Sequence, residues 1–95
     1  MVHECLPCGA ENAITTKELV RLLDFKSARE LQEAIARERD EGHLILSASQ
    51  NGGGYFLPDD DDEKGQAEIR TFIHTLENRA INTLRAIEAA KAALD

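Results

Sequence analysis

Tryptophan is absent from this 95-residue chain, and Tyr55, Phe25, Phe56 and Phe72 are its only aromatic residues, so aliphatic side chains must carry the core. Cysteine is nearly absent as well. Cys5 and Cys8 stand two residues apart, which closes too small a loop for a scaffold disulfide and makes reduced thiols the default. No apolar run approaches the roughly 20 residues that span a bilayer, and no basic stretch followed by an apolar one opens the chain. The expected compartment is therefore the cytosol, with no membrane partner. Basic residues are also in deficit: 11 Lys and Arg against 18 Asp and Glu give a net charge of −7. That balance opposes strong non-specific binding to nucleic acid, where phosphate contacts by Lys and Arg normally dominate affinity. Residues 1–58 hold six basic against nine acidic residues, and residues 59–95 hold five against nine. The larger deficit lies in the second part.

What is present is ordinary for a folded domain. Hydrophobic residues make up 42% of the chain and charged ones 31%, a globular rather than a disordered composition. A chain this short buries only about 60–65% of the surface its unfolded form exposes, so a partner chain would add usefully to its core.

Two helix-start signals stand twelve residues apart, Thr15-Thr16-Lys17-Glu18 and Ser27-Ala28-Arg29-Glu30. In each, the hydroxyl is expected to accept from the amide of the glutamate while the glutamate reaches back to the N-cap amide. Ile14 and Leu19 occupy the positions of a hydrophobic staple. Leu19, Val20, Leu22 and Leu23 form the apolar face of a first helix that stops near Asp24. Phe25 and Lys26 fill the turn, and Ala28, Leu31, Ala34 and Ile35 recur at helical spacing until Gly42 ends a second helix. His43 to Ser49 then reads as a strand with Leu44 and Leu46 on one face and Ile45 on the other. Asn51-Gly52 is a hairpin signal, because a type I′ turn needs positive φ at both central residues. Tyr55-Phe56-Leu57 returns, and Pro58 stops the strand. Helix, turn, helix and hairpin in this order predict a winged helix-turn-helix.

From about Gln66 to the C-terminus nothing breaks a helix. Ile69, Ile73, Leu76, Ala80, Thr83, Ile87, Ala90 and Leu94 alternate four and three residues apart, a heptad seam with one polar position, and Phe72, Ile81 and Leu84 widen it. Such a helix would be about 43 Å long, more than the small body can cover, so a homodimer formed through Ile69, Ile73, Leu76, Ala80, Ile87 and Leu94 is expected. The predicted class is mainly α with a small β-hairpin (α+β). Residues 1–12 read as an N-terminal arm, 13–58 as the winged helix-turn-helix, 59–65 as an acidic linker and 66–95 as the long helix.

Duplex DNA is the partner this architecture implies. The second helix must bury Leu31 and Ile35, which leaves Lys26, Ser27, Arg29, Gln32 and Glu33 at its start or on its outer face. Arg29 suits guanine and Gln32 adenine by bidentate contact. Thr16 and Lys17 would meet phosphate, and Gln50 and Asn51 on the wing would reach the adjacent groove or backbone. Each of these side chains also has a plain reading as solvated surface. No catalytic arrangement is present, so an enzyme is not expected, and neither is a cofactor. Gly52-Gly53-Gly54 lacks the Lys-Ser/Thr of a phosphate loop. Asp59 to Glu63 lacks the spacing of a calcium loop. Cys5 and Cys8 supply only half of a zinc site, to which His3 with His43 or His74 would have to be recruited, so no metal is expected.

The stretch from Ala10 to Leu57, above all Glu11 to Val20, then Ala28-Arg29-Glu30-Leu31 and Gly52 to Leu57, resembles small helix-turn-helix proteins encoded by bacterial phages and prophages. The resemblance extends into the last helix around Phe72 to Leu84. It implies winged-helix architecture and a mobile-element setting in a bacterial host cell, with transcription regulation or a replication accessory role as the expected activity. The helix that usually precedes the first strand of a winged helix has little room in residues 1–12. The long C-terminal helix is therefore expected to take its packing place against Leu19, Leu23, Ile35 and Leu46. The net acidity supports a second expectation from another class: a protein-interaction module that inhibits a host nucleic-acid enzyme, as an anti-CRISPR protein does.

Overall fold

The computed structural model describes residues 1–48 and 53–94. Among the described residues the chain is mainly helical with one small antiparallel sheet of two strands, an α+β arrangement. Helix α1 spans Thr16–Leu22 and α2 spans Ala28–Asp40. Strands β1 (Leu46–Ala48) and β2 (Gly54–Phe56) follow, and α3 runs from Asp62 to Ala92. None of the described helices is long and apolar enough to cross a membrane.

Half of each expected capping box forms. Thr15 Oγ1 accepts from the Glu18 amide at 3.2 Å, and Ser27 Oγ accepts from the Glu30 amide at 3.2 Å. The glutamates do not complete the boxes: Glu18 pairs with Arg21, and Glu30 accepts from the Lys26 amide at 3.4 Å. The C-terminal ends of α1 and α2 are closed by left-handed residues. At Gly42 (φ 97°) the His43 amide donates to the Glu38 carbonyl and the Gly42 amide to the Arg39 carbonyl, both at 3.0 Å, a Schellman closure.

The strands pair Leu46 with Phe56, Ser47 with Tyr55 and Ala48 with Gly54. The other edge of β2 is also occupied. Ile14 and Tyr55 exchange backbone hydrogen bonds at 3.0 and 2.9 Å, while Leu57 donates to Pro7 and accepts from Gly9, each at 2.8 Å. A side chain at Gly54 would stand 2.8 Å from the Ile14 carbonyl oxygen, so this close approach requires glycine. The first strand begins at Leu46 rather than His43, with Ser49 outside the described residues, and Leu44 is exposed instead of sharing the buried face of Leu46. His43 to Ile45 is still turning out of the α2 closure, with the Ile45 amide bonded to the His43 carbonyl, so strand alternation begins only at Leu46.

Two apolar clusters result. The first joins Val2, Leu6, Leu19, Leu31, Ala34, Ile35 and Ile45; the second joins Leu46, Phe56 and Phe72, with Ile69 against it. This corrects the expected packing of the long helix, which reaches Leu46 but not Leu19, Leu23 or Ile35. Residues 1–12 fill that place. They form two 3₁₀ turns, Val2–Cys5 and Ala10–Asn12, and insert Val2 and Leu6 beside α1 and α2.

The reason is a buried carboxylate. Glu38 is 5% exposed, and its oxygens accept from the Val2 amide (2.8 Å), the His3 amide (2.8 Å) and His3 Nδ1 (2.6 Å). The His3 ring stacks on His43 at 3.7 Å. Further along, Glu68 of α3 accepts from the amides of Ala10 (2.7 Å) and Asp59 (2.8 Å). The N-terminal segment thus ties α2, the sheet and α3 together. Arg39 links the two clusters from the other side: its Nε donates to the Ile45 carbonyl at 2.9 Å, and its guanidinium lies 5.0 Å from the Phe72 ring centroid.

The long helix begins at Asp62 rather than Gln66. Asp61 caps it by accepting from the Lys64 amide at 3.0 Å, and Asp62 and Glu63 occupy its first turn, where the helix dipole favours negative charge. Most of the run expected to be a linker is therefore a helix start.

Burial raises the proton affinity of Glu38, but the hydrogen bonds from His3 and Val2 outweigh it and hold the carboxyl below its usual range. The stability from this group is present above the unfolded value of about 4.3 and is lost as pH falls through the lower folded value. Glu38→Gln keeps the volume but offers one acceptor oxygen, and it should cost about 2–4 kcal/mol at neutral pH in urea denaturation. The gap to the native chain should narrow below about pH 4, where the native carboxylate is itself protonated. A loss below about 1 kcal/mol would show that the N-terminal segment is not held this way.

Candidate nucleic-acid interface

The turn between α1 and α2 sets how their ends are presented. Asp24 takes φ 56°, the only positive φ at a described non-glycine residue. The Phe25 amide donates to the Val20 carbonyl at 3.0 Å and the Asp24 amide to the Arg21 carbonyl at 3.4 Å. This is the same closure as at Gly42, made with aspartate. Phe25 then packs against the first cluster, which anchors the turn.

The N-terminal ends of α1 and α2 consequently lie side by side. Thr15, Thr16, Lys17, Val20 and Ala28 line one shallow depression between them. Of the expected contact residues, Thr16 is half-buried, and Lys17, Lys26, Ser27, Arg29 and Gln32 are exposed. Lys17 lines this depression; Lys26, Ser27 and Arg29 stand within two residues of Ala28 in the chain, and Gln32 follows one turn along α2. Gln50 and Asn51 lie outside the described residues.

The surface here is mixed in charge. Arg29 Nε sits 3.3 Å from Glu33 Oε1, an exposed pair at i, i+4 spacing, and Glu30 and Asp24 stand close by in the chain. An exposed pair of this kind is worth at most about 1 kcal/mol, so it holds Arg29 only weakly against a stronger partner. The two helix N-termini add partial positive charge at the depression.

The seam residues divide. Ile69 packs against the second cluster, whereas Ile73, Leu76, Ala80 and Ile87 are exposed along α3. Leu94, expected in the same helix, is exposed just past its end, because α3 stops at Ala92 with Ala93 as its C-cap. Cys5 is exposed and Cys8 half-buried. Burial first, and Asp60 beside it, push the Cys8 thiol above its ordinary value, which disfavours the thiolate that metal or redox chemistry needs. Among the described residues no three His, Cys, Asp or Glu side chains are grouped to hold a metal ion.

Two structural roles escape a reading of sequence period. Glu38 falls at i+3 and i+7 from Ile35 and Leu31, so its place on the buried stripe is visible. Its compensating groups, at positions 2 and 3, are not. Arg39 stacks on Phe72 across a separation that no local pattern indicates.

Comparison of the chain with known protein families, with curated proteins and with solved structures finds no match.

Because aspartate pays a steric cost in the left-handed region that glycine avoids, Asp24→Gly should stabilise the protein by about 0.5–1 kcal/mol in thermal or urea unfolding. A destabilised variant would mean that the Asp24 side chain contributes an interaction of its own.

Proposed function

We propose that this protein is a winged helix-turn-helix that binds duplex DNA sequence-specifically as a homodimer, acting as a phage-type transcriptional regulator or replication accessory factor. The observation that carries the reading is the depression where α1 and α2 begin together, with the outer face of α2 in solvent and the hairpin on the same body. In this reading α2 enters the major groove by its N-terminal half. Arg29 leaves Glu33 for a guanine edge, Gln32 meets the next base, and Lys17 and Lys26 meet phosphate. The pairing of Ile14 with Tyr55 supports the same reading, since it gives β2 a neighbour on both edges, as the three-stranded sheet of a winged helix would have. With a net charge of −7, affinity must come from a few placed contacts and from two copies acting together.

The charge also favours a second reading. An acidic surface can occupy a basic channel built for nucleic acid, so the protein would inhibit a host nucleic-acid enzyme by direct contact. Failure to retain any basic host nuclease in a pull-down counts against it.

In fluorescence-anisotropy titrations, Arg29→Ala should lower discrimination at one base position by about 1–3 kcal/mol. Lys17→Ala should weaken binding to all duplexes alike and reduce the salt slope by about one. Unchanged base preference in the Arg29 variant would remove α2 as the reading helix.

A further inference from the structure

Beyond Phe72 the long helix leaves the second cluster, and its apolar side chains stand in water. Ile73, Leu76, Ile87 and Leu94 are 49%, 39%, 42% and 78% exposed, and Leu84 beside them is 61% exposed. At 100° per residue Ile73, Leu76, Leu84 and Ile87 lie on one stripe of α3, and Leu94 follows just past its end. Ala80, Thr83 and Ala90 interrupt it with small side chains that let another backbone come close.

The flanks of the stripe carry information about what covers it. On one side run Glu77, Leu84 and Lys91, and on the other Arg79, Ala86 and Ala93. A parallel, in-register partner would set Arg79 against Leu84 and Ala86 against Lys91, so no opposite charges would meet. It would also bring the two acidic runs at Asp59 to Glu63 to the same end. An antiparallel partner with its two-fold axis beside Leu84 sets Leu84 against its own copy, Ala86 against its own copy, and Glu77 against Lys91 twice. In this register Ala80 faces Ala90, a layer of two small side chains, and Thr83 faces Ile87. Moving the axis one heptad step toward the N-terminus sets Arg70 against Lys91, and a further step sets Glu77 against Glu77. Both are like-charge contacts.

We infer that a second copy of this chain covers α3 in antiparallel orientation, with Glu77 of each copy beside Lys91 of the other and Leu84 on the two-fold axis. The inference rests on the homodimeric reading above and adds its geometry. The two bodies then lie at opposite ends of the helix pair, and residues 70 of the two copies stand about 42 Å apart along it. Two half-sites on one duplex would therefore be spaced by more than one turn of about 34 Å.

The test uses the full chain with Cys5→Ser and Cys8→Ser, spin-labelled at Arg70→Cys, at a concentration where light scattering gives a dimer mass. Pulsed electron resonance should return a distance of about 40–45 Å, and a distance below about 25 Å overturns the orientation while leaving the dimer intact. With the native cysteines retained, Glu77→Lys should weaken dimerisation about ten-fold, and adding Lys91→Glu should restore it to within about two-fold. A Glu77→Lys variant that dimerises as the native chain does, or a double variant that is not restored, also overturns the inference. A monomer mass for the native chain at tens of micromolar would remove the inference and the homodimeric reading together, without touching DNA binding by a single copy.

Discussion

Glu38 places a carboxylate among apolar side chains on the inner face of α2, and the groups that compensate it come from the first three residues of the chain. The two backbone amides and the imidazole of His3 satisfy both of its oxygens. Removing those donors would leave a charge in a site that is 5% exposed, a cost of several kcal/mol. The N-terminal segment is therefore held on α2, and Val2 and Leu6 follow it into the core. From there the segment crosses β2 at Pro7 to Gly9 and at Ile14, and meets Glu68 of α3 at Ala10. A segment with little regular structure of its own thus connects α2, β2 and α3 and packs beside α1.

This arrangement determines which surfaces remain free. The inner faces of α1 and α2 are covered by Val2, Leu6 and Ile45, and the α3 side of the sheet is covered by Phe72. The outer face of α2 and the far half of α3 are left in water. The first is charged and mixed in sign, which suits a few placed contacts better than general attraction to phosphate. The second is apolar and longer than the body can bury, which suits another helix. The two free surfaces differ in chemistry.

Much of the helical framework was legible in the sequence, because caps and closures are local. Thr15, Ser27 and Gly42 act where their residue types indicate, and Ile14 packs against the cluster that contains Leu19. The N-terminal segment was not legible, since 3₁₀ turns carry no hydrophobic period and Pro7 and Gly9 resemble a loose lead-in. The start of α3 was obscured for a related reason: five acidic residues read as a solvated linker, yet the same charges favour a helix N-terminus. At the candidate interface, the exposure of Lys26, Arg29 and Gln32 followed from burying Leu31 and Ile35. The ion pair of Arg29 with Glu33 was also available from their i, i+4 spacing. Gln50 and Asn51, which the sequence leads one to expect on a wing, fall outside the described residues.

The central claim is that the surface at the start of α2 reads base sequence. Selection of bound duplexes from a random pool, at a fixed and stated salt concentration, addresses it without assuming a site. A recurring motif among the recovered duplexes, arranged as two related half-sites, is the expected outcome. A recovered pool indistinguishable in sequence from the starting one would contradict the claim.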